Sequence, residues 1–296
     1  MITNPCHLDS WAKELLVDPQ SKEPLRLSED GKHLLSSYGR KYPIINGILD
    51  LRLLNNETTP DQKVWKEGQR AYELWSRNVA IRDQSQDYLA EREGVKEVYE
   101  DIPIEGSCLD VGGHQGKLRH FLAPEQPYLC CDPFLKAFFE IDNQPRLLAA
   151  YPFLVDPVNF VCCDAEFLPF QSSSFQTVHM RSVVDHFLNP ELAIHEAYRV
   201  LRDNGILIVG LTVHGGKSGR PSMKARSKEL ARTIFSALGI NRFKDYHVWH
   251  PTYNELTDLI AKCGFGVDKV HWQKGYGNTV CYLSALKRSG LTRSSI

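Results

Sequence analysis

The stretch SCLDVGGHQGKLRHFL, residues 107–122, reads as a short apolar strand that ends in an acid at Asp110. Glycines follow at 112, 113 and 116, and then a helix-like run. Glycine lets a backbone turn sharply and approach a ligand closely, so this segment reads as a loop that cradles a charged small molecule at the start of a helix. Some twenty residues beyond Asp110 a second apolar strand, YLCC, ends in Asp132-Pro133. A carboxylate at that point of a strand–loop–helix–strand unit accepts hydrogen bonds from a pair of ribose hydroxyls.

A nicotinamide-binding fingerprint requires G-x-G-x-x-G. This loop instead runs Asp110-x-Gly112-x-His114-x-Gly116. It resembles the first motif of the class I S-adenosylmethionine-dependent methyltransferases, an acid followed by glycines at alternate positions. His114 stands at one of those glycine positions, where a side chain has to fit a backbone shape usually left to glycine. The likeness continues through VNFVCCDAEFLPF, residues 158–170, a third strand ending in Asp164 and Ala165, and through residues 172–213, which read as a fourth strand, a helix and a fifth strand. Asp203-Asn204-Gly205 reads as the left-handed stop that separates that helix from the fifth strand. Residues 251–263 read as a helix, and GFGVDKVHWQ and NTVCYLSALK as two last strands.

The resemblance implies a doubly wound α/β fold, a seven-stranded Rossmann-like methyltransferase sheet, and S-adenosylmethionine as cofactor. It places Asp110, Gly112, Gly113, His114 and Gly116 in the loop on the methionine side, Asp132 and Pro133 at the ribose, and Asp164 with Ala165 at the adenine. Arg181 is then a candidate for the methionine carboxylate or for an acidic acceptor.

Residues 1–55 form a small β-rich unit. WAKELLVDP is a short amphipathic segment, PLRLSE and HLLSS are strands around an Asp30-Gly31 turn, and KYPIINGILDL is a further strand region. LLVDPQSKEPL and YPIINGILDL resemble the small zinc-ribbon-like activator proteins of tRNA and translation-factor methyltransferases. Asp18 and Ser21 stand where the metal-binding relatives have cysteines, so no metal is expected in this module. It reads as a recognition or dimerisation element, or as an extension that covers one edge of the catalytic domain. Residues 56–106 read as a helical connector folded over the cofactor site, with Trp65, Tyr72 and Trp75 close to one helical face. The third part, residues 107–296, is the cofactor-binding catalytic domain.

Residues 214–250 are an insertion after the fifth strand that reads as a lid. They carry eight Lys and Arg, among them Lys217 and Arg220, against Glu229 and Asp245. Most of these cations suit a solvated helix face, and Lys217 and Arg220 suit a rim that attracts an acidic substrate. Methyl transfer to a hydroxyl or amine requires alignment, exclusion of water and removal of a proton. His186, preceded by Asp185, is the leading candidate for that proton, with His250 and His247 in HVWHPTY behind it. No histidine spacing such as H-E-x-x-H is present, so no metal ligand is assigned.

The net charge of -1 gives no general attraction to nucleic acid or to an anionic membrane. With no long apolar run and no signal-type start, the expectation is a cytoplasmic protein. Eight cysteines without C-x-x-C spacing read as small buried hydrophobes, adjacent pairs such as Cys130-Cys131 pointing to opposite faces of a strand. The preferred reading is methyl transfer to oxygen or nitrogen of a small molecule, acidic in character, by a chain able to form a homodimer. Rival readings are an RNA-base methyltransferase and a cofactor-binding regulator or partner subunit without turnover, the latter motivated by His114 and the activator-like module.

Overall fold

A computed structural model describes residues 5–53, 60–219, 246–276 and 278–288. The chain begins with a two-residue strand β1 (Cys6–His7) and a short helix α1 (Ser10–Glu14). A four-stranded antiparallel meander follows: β2 (Arg26–Leu27), β3 (His33–Leu35), β4 (Lys41–Ile45) and β5 (Ile48–Leu49). Three helices come next, α2 (Pro60–Arg77), α3 (Val79–Ser85) and α4 (Tyr88–Asp101), the last capped by Asp87, whose side chain accepts from the Ala90 N–H.

From there strands and helices alternate. The elements are β6 (Cys108–Val111), β7 (Tyr128–Asp132), α5 (Pro145–Ala150), β8 (Val158–Cys162), β9 (Phe175–Arg181), α6 (Pro190–Val200), β10 (Leu201–Thr212), α7 (Tyr253–Lys262), β11 (Phe265–Trp272) and β12 (Val280–Lys287). The large sheet runs β1-β8-β7-β6-β9-β10-β12-β11. All pairings are parallel except those that β12 makes with β10 and β11. Strand order reverses between β6 and β9, and in open α/β sheets a ligand crevice opens beyond the carboxyl ends of the strands at such a reversal.

Each face of the sheet has its own core. Leu109, Val111, Leu129 and Cys131 point to the side covered by α6, α7 and the N-terminal unit, where Ala12, Tyr42, Leu49 and Leu51 join the packing. Cys108, Tyr128 and Cys130 point to the other side, under α4 and α5. The adjacent pairs Cys130-Cys131 and Cys162-Cys163 therefore divide between the two cores, as the two-residue period of a strand requires. All eight cysteines are free thiols.

Three details depart from the sequence reading. The expected seven strands are present, and β1 adds an eighth at the edge, in parallel register with β8 through Cys6↔Val158 and His7↔Asn159. Two residues are too few to show a period. The run after Gly116 is a single 3₁₀ turn, Lys117–Phe121, in place of a full helix. Asp203-Asn204-Gly205 does not end α6, which stops at Val200. The turn lies inside β10 and loops out where pairing with β9 jumps from Leu201↔Phe175 to Ile206↔Thr177. Asn204 takes a φ of 60° there, a left-handed shape that asparagine tolerates.

The N-terminal unit is latched to the catalytic sheet by backbone and charge. Val17 N–H donates to the Pro169 carbonyl, and Gln171 N–H to that of Leu15. Lys22 Nζ reaches the Leu168 carbonyl and Glu196, and Arg199 holds Glu196 together with the carbonyls of Leu168 and Phe170. Within the unit, the Asp18 carboxylate accepts from the backbone N–H groups of Gln20 and Ser21 and from the Tyr42 hydroxyl. Among the described residues no helix is long and apolar enough to cross a membrane. Residues 220–245, with Arg220 and most of the basic insertion, lie outside the described residues.

Candidate cofactor and acceptor site

A cavity of about 420 Å³ opens beyond the carboxyl ends of β6, β7, β8 and β9. Its floor and walls include Asp110, Gly112, Gly113, His114, Asp132, Pro133, Asp164, Ala165, Arg181 and His186, and its outer wall includes Trp65, Tyr72 and Trp75. Gly116 is not among the residues lining the cavity; its φ of +76° starts the 3₁₀ turn.

The floor is held rigid from beneath. Asp110 Oδ1 lies 2.8 Å from His179 Nδ1, and its Oδ2 accepts from the Tyr128 hydroxyl at 2.6 Å. The other His179 nitrogen is 2.9 Å from the Tyr99 hydroxyl. Asp110 is buried, with both oxygens engaged by protein partners. The two glycines above it are required by space: a Cβ on Gly113 would stand 2.3 Å from Asp110 Oδ2, and one on Gly112 2.4 Å from Val183. His114 occupies the left-handed region with a φ of 50°, which places its backbone N–H on Asp132 Oδ2 at 3.0 Å. Its ring turns aside, edge-on to Phe134. Removal from water, with the charges of Arg82 and Lys117 nearby, pushes the imidazole down to about 3, so it is neutral.

Asp132 ends β7 with Oδ1 accepting from the Phe134 N–H and Oδ2 from that of His114, both at 3.0 Å. Burial pushes its carboxyl up to about 7 against the pull of these two donors. Asp164 Oδ2 accepts from the Leu53 N–H at 2.6 Å, so the strap that leaves the N-terminal unit lies across the end of β8. Beside it, Arg52 pairs with Asp50 and donates to the Pro133 carbonyl at 3.0 Å.

At the opposite end, Arg181 and Lys117 converge on Glu91 of α4, at 3.5 and 3.0 Å. Arg181 is recognisable at a strand end, whereas Glu91 carries no local signal, its place depending on how the connector helices dock. Lys117 directly follows the glycine loop, and that adjacency was the available signal. Burial lowers its amine below the usual value while Glu91 opposes the shift. Glu166 was also missed. Its carboxylate accepts from the N–H groups of Leu188 and Asn189 at 2.8 and 3.2 Å, which fixes the turn carrying Asp185 and His186. Burial, reinforced by Asp164, pushes Glu166 up to about 7.

His186 Nε2 is 3.2 Å from the Tyr72 hydroxyl, and the two rings meet edge to face. Asp185 stands behind it, 4.0 Å from His186 Nε2 and 3.5 Å from His247 Nε2. The His247 ring lies 4.3 Å from that of His186, and His250 is one ring further out, 5.6 Å from His247. His250 is exposed and does not line the cavity. No metal-binding spacing exists in the sequence, yet the fold brings donor atoms of Asp185, His186 and His247 within 4.8 Å of one another.

Residues 109–209 match a family described as a methyltransferase domain. Over 200 residues the chain is 26% identical to the ubiquinone/menaquinone biosynthesis C-methyltransferase UbiE of Cereibacter sphaeroides, covering 64% of this chain and 73% of that one. It is 27% identical over 176 residues to the mitochondrial 2-methoxy-6-polyprenyl-1,4-benzoquinol methylase of Caenorhabditis elegans, covering 55% and 60%. Among solved structures, a complex of the Haloferax volcanii Trm112 methyltransferase activator with a putative methyltransferase superposes with a TM-score of 0.50 at 13% identity, over 75% of this chain and 98% of that one. That likeness is one of fold. The protein is an S-adenosylmethionine-dependent methyltransferase, and S-adenosylmethionine is its cofactor. The cavity suits that cofactor: its size falls in the range of small-molecule sites, glycines 112 and 113 line its floor, and Asp132 ends a strand at its edge.

Proposed function

We propose that this methyltransferase acts on a hydroxyl or amine of a small molecule, with Asp185 and His186 activating the acceptor. The carrying observation is the meeting of Tyr72 and His186 on the cavity wall, with Asp185 behind them. Asp132 and Pro133 hold the ribose, and Asp164 and Ala165 the adenine. The loop at Gly112, Gly113, His114 and Gly116, braced by Asp110, holds the methionine end together with Arg181. Bound there, the cofactor supplies an electrophilic methyl group on a sulfonium sulfur.

The chain's own contribution is then alignment, exclusion of water by Trp65, Tyr72 and Trp75, and removal of the acceptor's proton. The imidazole of His186 is suited to take that proton because its ordinary pKa is close to neutrality. An acidic acceptor is favoured by the cations that the sequence carries in the insertion. The three-part division at residues 55 and 106 is part of this reading. So is an N-terminal module that serves as a fixed brace on the adenine side, supported by the Leu53 and Arg52 contacts.

A second reading is favoured by the relatives, one named as a C-methyltransferase of ubiquinone/menaquinone biosynthesis and the other as a benzoquinol methylase. Loss of a ring hydroxyl proton makes the adjacent ring carbon nucleophilic, so the same base would serve transfer to carbon. Incubation with methyl-labelled cofactor and a panel of hydroxy acids, amines and dihydroxylated rings tests both. Label in a heteroatom ether or amine supports the first reading, label on ring carbon the second, and turnover unchanged in His186→Ala would overturn the assigned base.

A further inference from the structure

We infer that Asp185, His186 and His247 form a binding site for a divalent transition-metal cation at the acceptor end of the cavity. Their donor atoms lie within 4.8 Å of one another although the chain separates His247 from the other two by some sixty residues. The convergence is built by the backbone: the N–H groups of Val248 and Trp249 donate to the Asp185 carbonyl at 2.9 and 3.1 Å, which docks the His247 segment on the turn that carries Asp185 and His186.

Asp185 Oδ1 is buried and has no hydrogen-bond partner among the described residues, His186 Nε2 at 4.0 Å being too distant. A carboxylate oxygen removed from water without a partner is costly, and a cation is a partner that fits it. The two imidazoles lie 4.3 Å apart at an interplanar angle of 32°.

Two imidazoles and one carboxylate select a zinc-like cation over magnesium or calcium, and three protein ligands leave a position for water or an acceptor oxygen. Bonds of about 2.0–2.2 Å place tetrahedral ligands roughly 3.3–3.5 Å apart. Separations of up to 4.8 Å therefore have to close by as much as about 1.3–1.5 Å, a movement within reach of the exposed His247 side chain.

The inference rests on the acceptor end assigned above and deepens it. With a cation bound, His186 would be a ligand, and an acceptor hydroxyl would be acidified by coordination and give its proton to solvent, in place of proton removal by the imidazole.

The test uses the full chain, stripped with a chelator and titrated calorimetrically with zinc chloride, and with cobalt(II) chloride while its visible absorption is followed. One equivalent bound, with cobalt bands of a nitrogen–oxygen site, is expected. A loss of affinity of at least tenfold is expected in Asp185→Asn and, separately, in His247→Ala, each checked for folding by its melting transition. Absence of a stoichiometric site, or affinities in both folded variants equal to the parent's, would overturn the inference. A parallel titration with S-adenosylhomocysteine reads the methyltransferase assignment on its own: a metal-free result with intact S-adenosylhomocysteine binding sinks the cation site and leaves His186 as the base.

Discussion

His179 Nδ1 stands 2.8 Å from Asp110 Oδ1, and the pair is buried beneath the glycine loop. With Asp110 as a carboxylate, the proton belongs on Nδ1, and Nε2 accepts from the Tyr99 hydroxyl. The Tyr128 hydroxyl supplies the second bond to the carboxylate. Tyr128→Phe removes one donor from a buried charged acceptor, so it is expected to cost about 1–3 kcal/mol of stability. Urea unfolding measures this, and a midpoint equal to the parent's would show that the brace carries no load.

Asp132 provides a second expectation. With Asp132 at the ribose as proposed, Asp132→Ala is expected to weaken S-adenosylhomocysteine binding by about 1–3 kcal/mol in calorimetry. Binding as tight as the parent's would refute the assignment of this strand end.

Ionisation of the same residue sets a pH dependence. Asp132 and Glu166 are pushed up to about 7 from ordinary values of 3.8 and 4.5. The native chain therefore keeps protons that the unfolded chain releases between about pH 4 and 7, so the stability due to these two groups is full below that window and is lost as pH rises through it. Cofactor binding should run the opposite way, since the ribose is best held by the ionised carboxylate. The parent's melting temperature is therefore expected to fall as pH rises through about 7 while its affinity for S-adenosylhomocysteine rises, and a melting temperature that does not fall in that window would count against raised Asp132 and Glu166.

Methyl transfer itself isolates His186. His186→Ala is expected to lower turnover by about 10²–10⁴-fold with S-adenosylhomocysteine affinity retained. Tyr72→Phe removes only the hydroxyl at 3.2 Å from His186 Nε2 and is expected to have the smaller effect. A Tyr72→Phe loss as large as that of His186→Ala would shift the leading role to the tyrosine.

Glu196 latches the N-terminal unit by facing two cations, Lys22 at 2.7 Å and Arg199 at 2.7 Å. Lys22→Met leaves Glu196 paired with Arg199, so a cost of about 1–3 kcal/mol is expected. Glu196→Ala leaves both cations half-buried without their carboxylate and should cost more, about 3–5 kcal/mol. Chemical unfolding of both variants gives the order, and a reversed order would mean that the carbonyls of Leu168 and Phe170 do most of the holding.

What could be read from the sequence follows the range of the interactions. Strand ends near Asp110, Asp132 and Asp164 are legible because a short apolar run closed by an acid is a local feature. So is the division of Cys130 and Cys131 between faces. Glu91, Tyr99 and His179 are not, since each meets the loop only after the sheet and the connector helices have packed. The turn Asp203-Asn204-Gly205 was recognised as a turn and misplaced in the fold, because its chemistry serves a loop within an irregular strand as well as a helix stop. His247 was ranked low among the histidines because its neighbour Asp185 is distant in the chain.

The edge strand β1 sets an order of events during synthesis. Cys6 cannot pair with Val158 until the ribosome has added about 150 further residues, which at 5–20 residues per second takes roughly 8–30 s. Through that interval the segment has no sheet to join, and once β8 forms it presents a bare edge until the segment returns. The first described strand to be made is thus a late one to dock, and a nascent chain halted before residue 158 has to keep its leading end from finding another partner.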